Sequence, residues 1–420
     1  MDRLIVEGGI ALKGSIKANG AKNAALPIMA ACLLAKSEVV LHRVPNISDV
    51  WTLAKILQAM GCKVDYDGNS RMVIDSSTLT TTTAPDHLVR KMNASFDVMG
   101  PLLAAYGEGQ VSLPGGCNLG SRPVDLHIAG FRKLGAEVSA ERGWVKAQAK
   151  KLTAAHILFP KVSVGATKNL IMASTVAEGT TVLENCAREP EIVDLADFLN
   201  KMGAKIEGAG RQTIRVTGVE KLHGTEHNVV ADRIEVGTYL IAGCITQGDI
   251  TLEDCVPEHV EALLDHLREA GQVIEINGSS IRAIGRRPIK PMEVSTEPYP
   301  GFPTDMHPQL VALAALGQGT SVVQENIFNG RFMYAMELAR LGSEIRVSNR
   351  QVIIRGVPKL QGAPIDAPDI RAGGALVCAA LAAEGESTIT GTQFIDRGYQ
   401  DIEGRLASVG AKIRRVTEAD

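Results

Sequence analysis

Aromatic residues are scarce in this chain, 4 % of 420 positions with only 2 tryptophans, although 45 % of the residues are hydrophobic. The core must therefore be built from Ala, Val, Leu and Ile. Charge of one sign is also lacking. A formal net charge of −3 gives no global basic field to attract nucleic acid or an anionic membrane, so any anionic ligand has to be held by a local cluster of Lys and Arg. No long apolar run is present: Leu26 to Leu34 and Ala375 to Ala383 fall far short of the roughly 20 residues that cross a bilayer. The start, Met1-Asp2-Arg3-Leu4, lacks the apolar stretch of a secretion signal. The 7 cysteines are odd in number and form no C-x-x-C pair, which argues against a disulfide framework or a cysteine-based zinc site and suits a reducing cytoplasm. There is no phosphate-binding G-x-x-x-x-G-K-[ST] loop, no G-x-G-x-x-G turn and no G-x-S-x-G elbow.

What is present is repetition. At 420 residues the chain is too long for one ordinary core, and an amphipathic helix closed by glycine and followed by a short strand recurs six times. The closing glycines are Gly61, Gly135, Gly203, Gly271, Gly342 and Gly410, spaced 68 to 74 residues apart. Val50, Leu53, Ala54 and Leu57 form one apolar stripe before the first; Ile192, Leu195, Ala196 and Leu199, and then Val260, Leu263, Leu264 and Leu267, repeat it. The glycine stands where a helix end calls for a left-handed residue. A second helix type, apolar all round and so buried, also recurs six times behind a polar head. The heads are Lys22-Asn23, Arg90 to Ser95, Ser163 to Thr167, Asp232 to Glu235, Pro303 to Met306 and Pro368 to Arg371. Six units predict an α/β protein of two domains with three units each, and His223 to Val230 is the candidate linker. If the buried helices of each domain run parallel, their positive N-terminal ends gather on one face, and two such faces opposed form a cleft for phosphates and carboxylates.

Several residues are candidates for chemistry. Leu113 to Pro123 carries three glycines and two prolines around Cys117 and Arg122. It reads as a mobile loop in which the guanidinium favours the thiolate. The other cysteines, Cys32, Cys62, Cys186, Cys244, Cys255 and Cys378, sit among apolar neighbours and read as buried hydrophobes. Lys22 heads a helix whose dipole disfavours a cation unless an anion is near. Asp305 and Asp369 are each read first as helix caps, with a catalytic or binding role as the alternative. Arg397 is either a ligand-binding cation or a surface partner of Asp396 or Asp401. His223 and His227 are spaced i, i+4 but lack a third ligand for a metal.

Taken in order, Gly20 to Pro27, Leu113 to Cys117, Arg122 to His127, Lys161 to Thr167, Ala187 to Glu191, Phe302 to Met306 and Asp396 to Tyr399 resemble the UDP-N-acetylglucosamine 1-carboxyvinyltransferase family of enolpyruvyl transferases, and the resemblance runs the whole chain. It implies a two-domain inside-out α/β barrel with three buried parallel helices per domain: residues 22–229 as the first domain, residues 1–21 and 230–420 as the second, with the active site in the cleft. It implies that phosphoenolpyruvate is clamped by Lys22, Arg122 and Arg397, beside Asn23, with support from Asp369 and Arg371. The nucleotide sugar falls to Asn93, Arg122, Pro123, Val124, Asp125, Leu126, Lys161, Val162, Ser163, Val164, Asp305 and Ile327. Cys117 is implied as the proton donor and as the thiol alkylated by fosfomycin, and Asp305 as the acceptor of the sugar hydroxyl's proton. No cofactor, metal, nucleic acid, membrane or obligate protein partner is implied, and the location is cytoplasmic. The family usually has Arg where this chain has Asn93, and an aromatic or apolar residue near Asp97. Two alternatives stay open: the sister enzyme acting on shikimate 3-phosphate, and a silent paralogue that only binds UDP-sugars.

Overall fold

A computed structural model of the chain describes residues 2–113 and 124–417. Cys117, Arg122 and Pro123 lie outside them. The described residues form two compact units, residues 20–113 with 124–230 and residues 2–19 with 231–417.

The predicted repeat is visible as a strand–helix–strand–helix–hairpin unit. In one copy, strand His156–Leu158 leads into the buried helix Val164–Ser174, and strand Thr180–Glu184 returns parallel to the first. The amphipathic helix Pro190–Lys201 follows, and strands Lys205–Glu207 and Thr213–Thr217 complete the sheet as an antiparallel pair. Among the described residues there are six such sheets, five of four strands and one of three, each hydrogen-bonded separately rather than joined into one closed barrel. All six closing glycines adopt φ between +89° and +102°. That conformation strains any residue with a Cβ, so glycine ends each amphipathic helix and turns the chain into its hairpin.

The buried helices in the 231–417 unit are Arg233–Ile245, His307–Ala314 and Ile370–Ala382. They pack on one another and carry an aliphatic, alanine-rich core. Tyr399 enters the same core, where its hydroxyl lies 3.0 Å from that of Thr238 and accepts a bond from Gln309 Nε2. The sequence leaves the pairing of the N-terminal strands open. Asp2–Glu7 lies between Glu386–Thr390 and Lys412–Thr417, and Lys13–Lys17 runs parallel to Asp249–Glu253, so both belong to this unit.

In the other unit, helices Lys22–Ala31, Met99–Tyr106 and Val164–Ser174 fill the corresponding positions. The segment read as a linker, His223 to Val230, ends at the boundary between the two units but contains a strand. Glu226–Asn228 is a strand parallel to Glu38–His42. His227 is buried there, with Nε2 2.9 Å from Asp194 Oδ1 and Nδ1 3.2 Å from Lys201 Nζ.

A Cβ at Gly342 would meet no atom within 4 Å, yet φ there is +91°. Gly342→Ala is therefore expected to cost about 1–2 kcal/mol through backbone strain alone, measurable as a lower urea midpoint at unchanged m-value.

Candidate active site

In the 231–417 unit the heads of the three buried helices meet around one carboxylate. Asp305 lies in the 3-10 turn Thr304–Met306 that opens the second of them. It does not cap that helix as the first reading expects. Its Oδ1 accepts a 2.7 Å bond from Arg331 Nη1, and Oδ2 receives Arg371 Nε at 3.1 Å and Nη2 at 3.0 Å. Burial alone would raise the Asp305 carboxyl, but Arg371, Arg331 and Arg233 outweigh it and hold the group far below the usual carboxylate range. Asp305 is thus ionised at any working pH.

Both guanidinium groups keep donors in reserve. Among the described residues, Arg331 Nε and Arg371 Nη1 are buried without a hydrogen-bond partner. Asp369 does act as a cap: its Oδ1 accepts the backbone N–H of Arg371 at 2.8 Å and of Ala372 at 3.0 Å. That places Arg371 at the helix head. Ile327 is partly exposed beyond the end of strand Thr320–Gln324. Arg397, half-buried, follows the short helix Thr392–Ile395. Asp396 is bound by Arg415 through both oxygens, and Asp401 caps the next helix.

The other unit collects a second set. Lys22, buried at the head of its helix, pairs with Asp49 Oδ2 at 2.7 Å, so a side chain of the protein supplies the neutralising anion. Asn23 is next to it and half-buried. Asn93 opens the 3-10 helix Asn93–Val98, which packs on both the Lys22–Ala31 and Val164–Ser174 helices. Lys161, Val162 and Ser163 lead to the latter, with Ser163 capping it through Ala166 N at 3.3 Å, and Val164 is its exposed first residue. Val124 is buried, and Asp125 and Leu126 begin helix Asp125–Lys133, which packs alongside. Among the described residues, Asn93, Val124 to Leu126 and Lys161 to Val164 are thus brought together at adjoining helix starts, whereas Asp305 and Ile327 belong to the 231–417 unit.

The unusual Asp97 is explained here. Its buried carboxylate lies 2.5 Å from Lys168 Nζ on the neighbouring helix. Burial pushes the Asp97 carboxyl up, and Lys168 counters only part of that. The edge of His127 rests against Phe96, with ring centroids 5.2 Å apart. Burial and the nearby Lys168 bring His127 down to about 3, so it is neutral. A charged pair thus fills a position where the family resemblance leads one to expect apolar packing. The six described cysteines are all buried, and burial pushes Cys62, Cys186, Cys244 and Cys378 up to about 12, so they remain thiols.

Sequence reasoning missed Arg331, Asp49 and Lys168. Each is one charged residue among many, and its partner is 20 or more positions away in the chain. No local spacing marks such pairs.

With this geometry in place, comparison with known proteins gives the class. A sequence profile for EPSP synthase (3-phosphoshikimate 1-carboxyvinyltransferase) matches residues 6–406, which makes the chain an enolpyruvyl transferase. The crystal structure of the enolpyruvyl transferase NikO from Streptomyces tendae superposes with a TM-score of 0.88 at 25 % identity, covering 100 % of this chain and 99 % of that one. An EPSP synthase from Acinetobacter baumannii shares the fold, with a TM-score of 0.76 at 20 % identity over 99 % of this chain and 100 % of that one. Two relatives are named UDP-N-acetylglucosamine 1-carboxyvinyltransferase. The one from Koribacter versatilis is 50 % identical over 100 % of this chain and 97 % of its own length, and the one from Solibacter usitatus is 48 % identical over 99 % and 100 %. The chain belongs to the UDP-N-acetylglucosamine 1-carboxyvinyltransferase family.

Two outcomes follow from the charge pairs. Asp305→Asn leaves two buried guanidinium groups without their counter-ion and should cost about 3 kcal/mol near neutrality. Because the folded-state value of Asp305 is depressed, that stabilisation is present above the ordinary Asp value of about 3.9 and fades as pH falls below it. Urea melts of the two proteins should therefore differ by a constant amount above about pH 5 and converge in acid. For the second pair, Asp97→Leu or Lys168→Leu alone should each cost about 3–5 kcal/mol, while the double substitution costs less than either; a double-mutant cycle in the same melts measures this.

Proposed function

We infer that this transferase moves the enolpyruvyl group of phosphoenolpyruvate to the 3′-hydroxyl of UDP-N-acetylglucosamine and releases phosphate, the step that commits the sugar to peptidoglycan. Full-length kinship with enzymes of that name carries the reading. The two sets of helix heads support it with the right chemistry: cations and N–H donors for phosphate and carboxylate, and one fixed carboxylate for a hydroxyl. The reaction belongs in the cytoplasm, where both substrates are made.

The sugar hydroxyl adds to C2 of phosphoenolpyruvate while C3 gains a proton, giving a tetrahedral phospholactoyl species. The C2–O bond to phosphate then breaks, the new methyl group gives up a proton, and the enol ether and inorganic phosphate leave. Asp305, ionised between two guanidinium groups, is a weak base. It orients the hydroxyl by accepting its hydrogen bond. It takes the proton only as the oxygen bonds to C2, when that proton has become strongly acidic. Lys22, Arg122 and Arg397 act on phosphoenolpyruvate, with Asn23, Asp369 and Arg371 in support, and stabilise the charge that develops on it. Cys117 delivers the proton to C3.

Phosphate release from phosphoenolpyruvate plus UDP-N-acetylglucosamine tests the reading. Turnover on the order of 1 s⁻¹ or faster is expected. Release only with shikimate 3-phosphate would make the chain the sister enzyme, and sugar binding without release would make it a silent binder. Cys117→Ala should lower turnover by at least about 10²-fold, the usual worth of a positioned proton donor, with sugar affinity retained.

A further inference from the structure

Glu325 is fully buried at the end of strand Thr320–Gln324, yet among the described residues no Lys or Arg side chain hydrogen-bonds its carboxylate; Arg350 Nε donates only to its backbone carbonyl, at 2.9 Å. Its Oε1 accepts bonds from the Thr296 hydroxyl at 3.0 Å, Ile327 N at 2.7 Å and Phe328 N at 2.9 Å. Its Oε2 accepts the Thr304 hydroxyl at 2.8 Å and lies 3.2 Å from Nδ1 of His307, an imidazole that burial disfavours charging. His307 is itself buried, with Nε2 2.8 Å from the Tyr334 hydroxyl. Burying a carboxylate is costly, and here several donors offset that cost and converge on one turn of chain.

The Thr304 hydroxyl is the link onward. Because it donates to Glu325, it presents a lone pair to Arg331, whose Nη1 donates to Thr304 at 2.9 Å and to Asp305 Oδ1 at 2.7 Å. Glu325 thereby sets two things at once: the direction from which Arg331 holds Asp305, and the turn that displays Ile327. Only an acceptor-only group at both oxygens does this. A Gln amide would point a donor at Thr304 and at His307, and Thr304 would lose its acceptor.

We propose that Glu325 is a positioning residue, which through Thr304 and Arg331 fixes Asp305 and the Ile327 turn in one geometry for the acceptor sugar. This rests on the transferase reading above. It touches neither substrate and takes no proton.

The test uses the full-length enzyme with Glu325→Gln, Thr304→Val and Thr304→Ser. Phosphate release is measured against each substrate, and sugar affinity is measured separately by calorimetry. Glu325→Gln and Thr304→Val should lower kcat/KM for UDP-N-acetylglucosamine about 10²-fold, the usual effect of misplacing a reacting group by about 1 Å. They should weaken sugar binding about tenfold and leave the KM for phosphoenolpyruvate within about twofold. Thr304→Ser, which keeps the hydroxyl, should return most of the loss. Wild-type constants in both variants would overturn the proposal. So would a fall in kcat with both KM values and the sugar affinity unchanged, since that is how loss of folded protein reads. Absence of phosphate release by the wild-type protein would instead sink the transferase reading, with calorimetry still reporting on Glu325.

Discussion

Asp305 stands between Arg331 and Arg371, and the 231–417 unit is organised so that it stays there. Two buried guanidinium groups would repel each other without the carboxylate, and the carboxylate would be driven to protonate without them. Each member therefore needs the other two. The arrangement yields one ionised carboxylate whose two oxygens are held in fixed directions.

The repeat explains how three such residues meet. In each copy a buried helix starts where a strand ends, so equivalent positions in three copies converge. Arg233, Asp305 and Arg371 occupy such helix-head positions in the 231–417 unit. Helix N-termini add partial positive charge at the same place. The apolar, alanine-rich bodies let the helices approach closely, and the Gln309 amide nitrogen bonds the Thr238 and Tyr399 hydroxyls where polar atoms enter that core.

The 20–230 unit uses the same frame for a different face. Lys22 is balanced by Asp49, and Asp97 by Lys168. In the second pair the buried carboxylate at 97 is matched by a lysine one helix away, beside a histidine kept neutral. Asn93 stands at the start of the same short helix.

The sequence alone determined the repeat, because the period of apolar residues and the six glycines are local properties; the positive φ at every one of those glycines is the same constraint seen in space. It also pointed to Lys22, Asp305, Asp369 and Arg371 as helix heads, because each stands just before or at the start of an apolar run. It could not separate a cap from an ion pair: Asp369 caps its helix while Asp305 binds two arginines, though both occur in similar local contexts. That difference depends on residues 26 and 66 positions away in the chain. It read the short strand 226–228 as part of a linker, since a polar strand with one buried residue, paired along one edge, looks like a loop. Which sheets receive the N-terminal strands, which charges pair, and that a buried Glu325 lies behind the Asp305 turn were decided only by tertiary structure. Long-range pairing depends on where the backbone carries each side chain, and no short window of sequence contains that information.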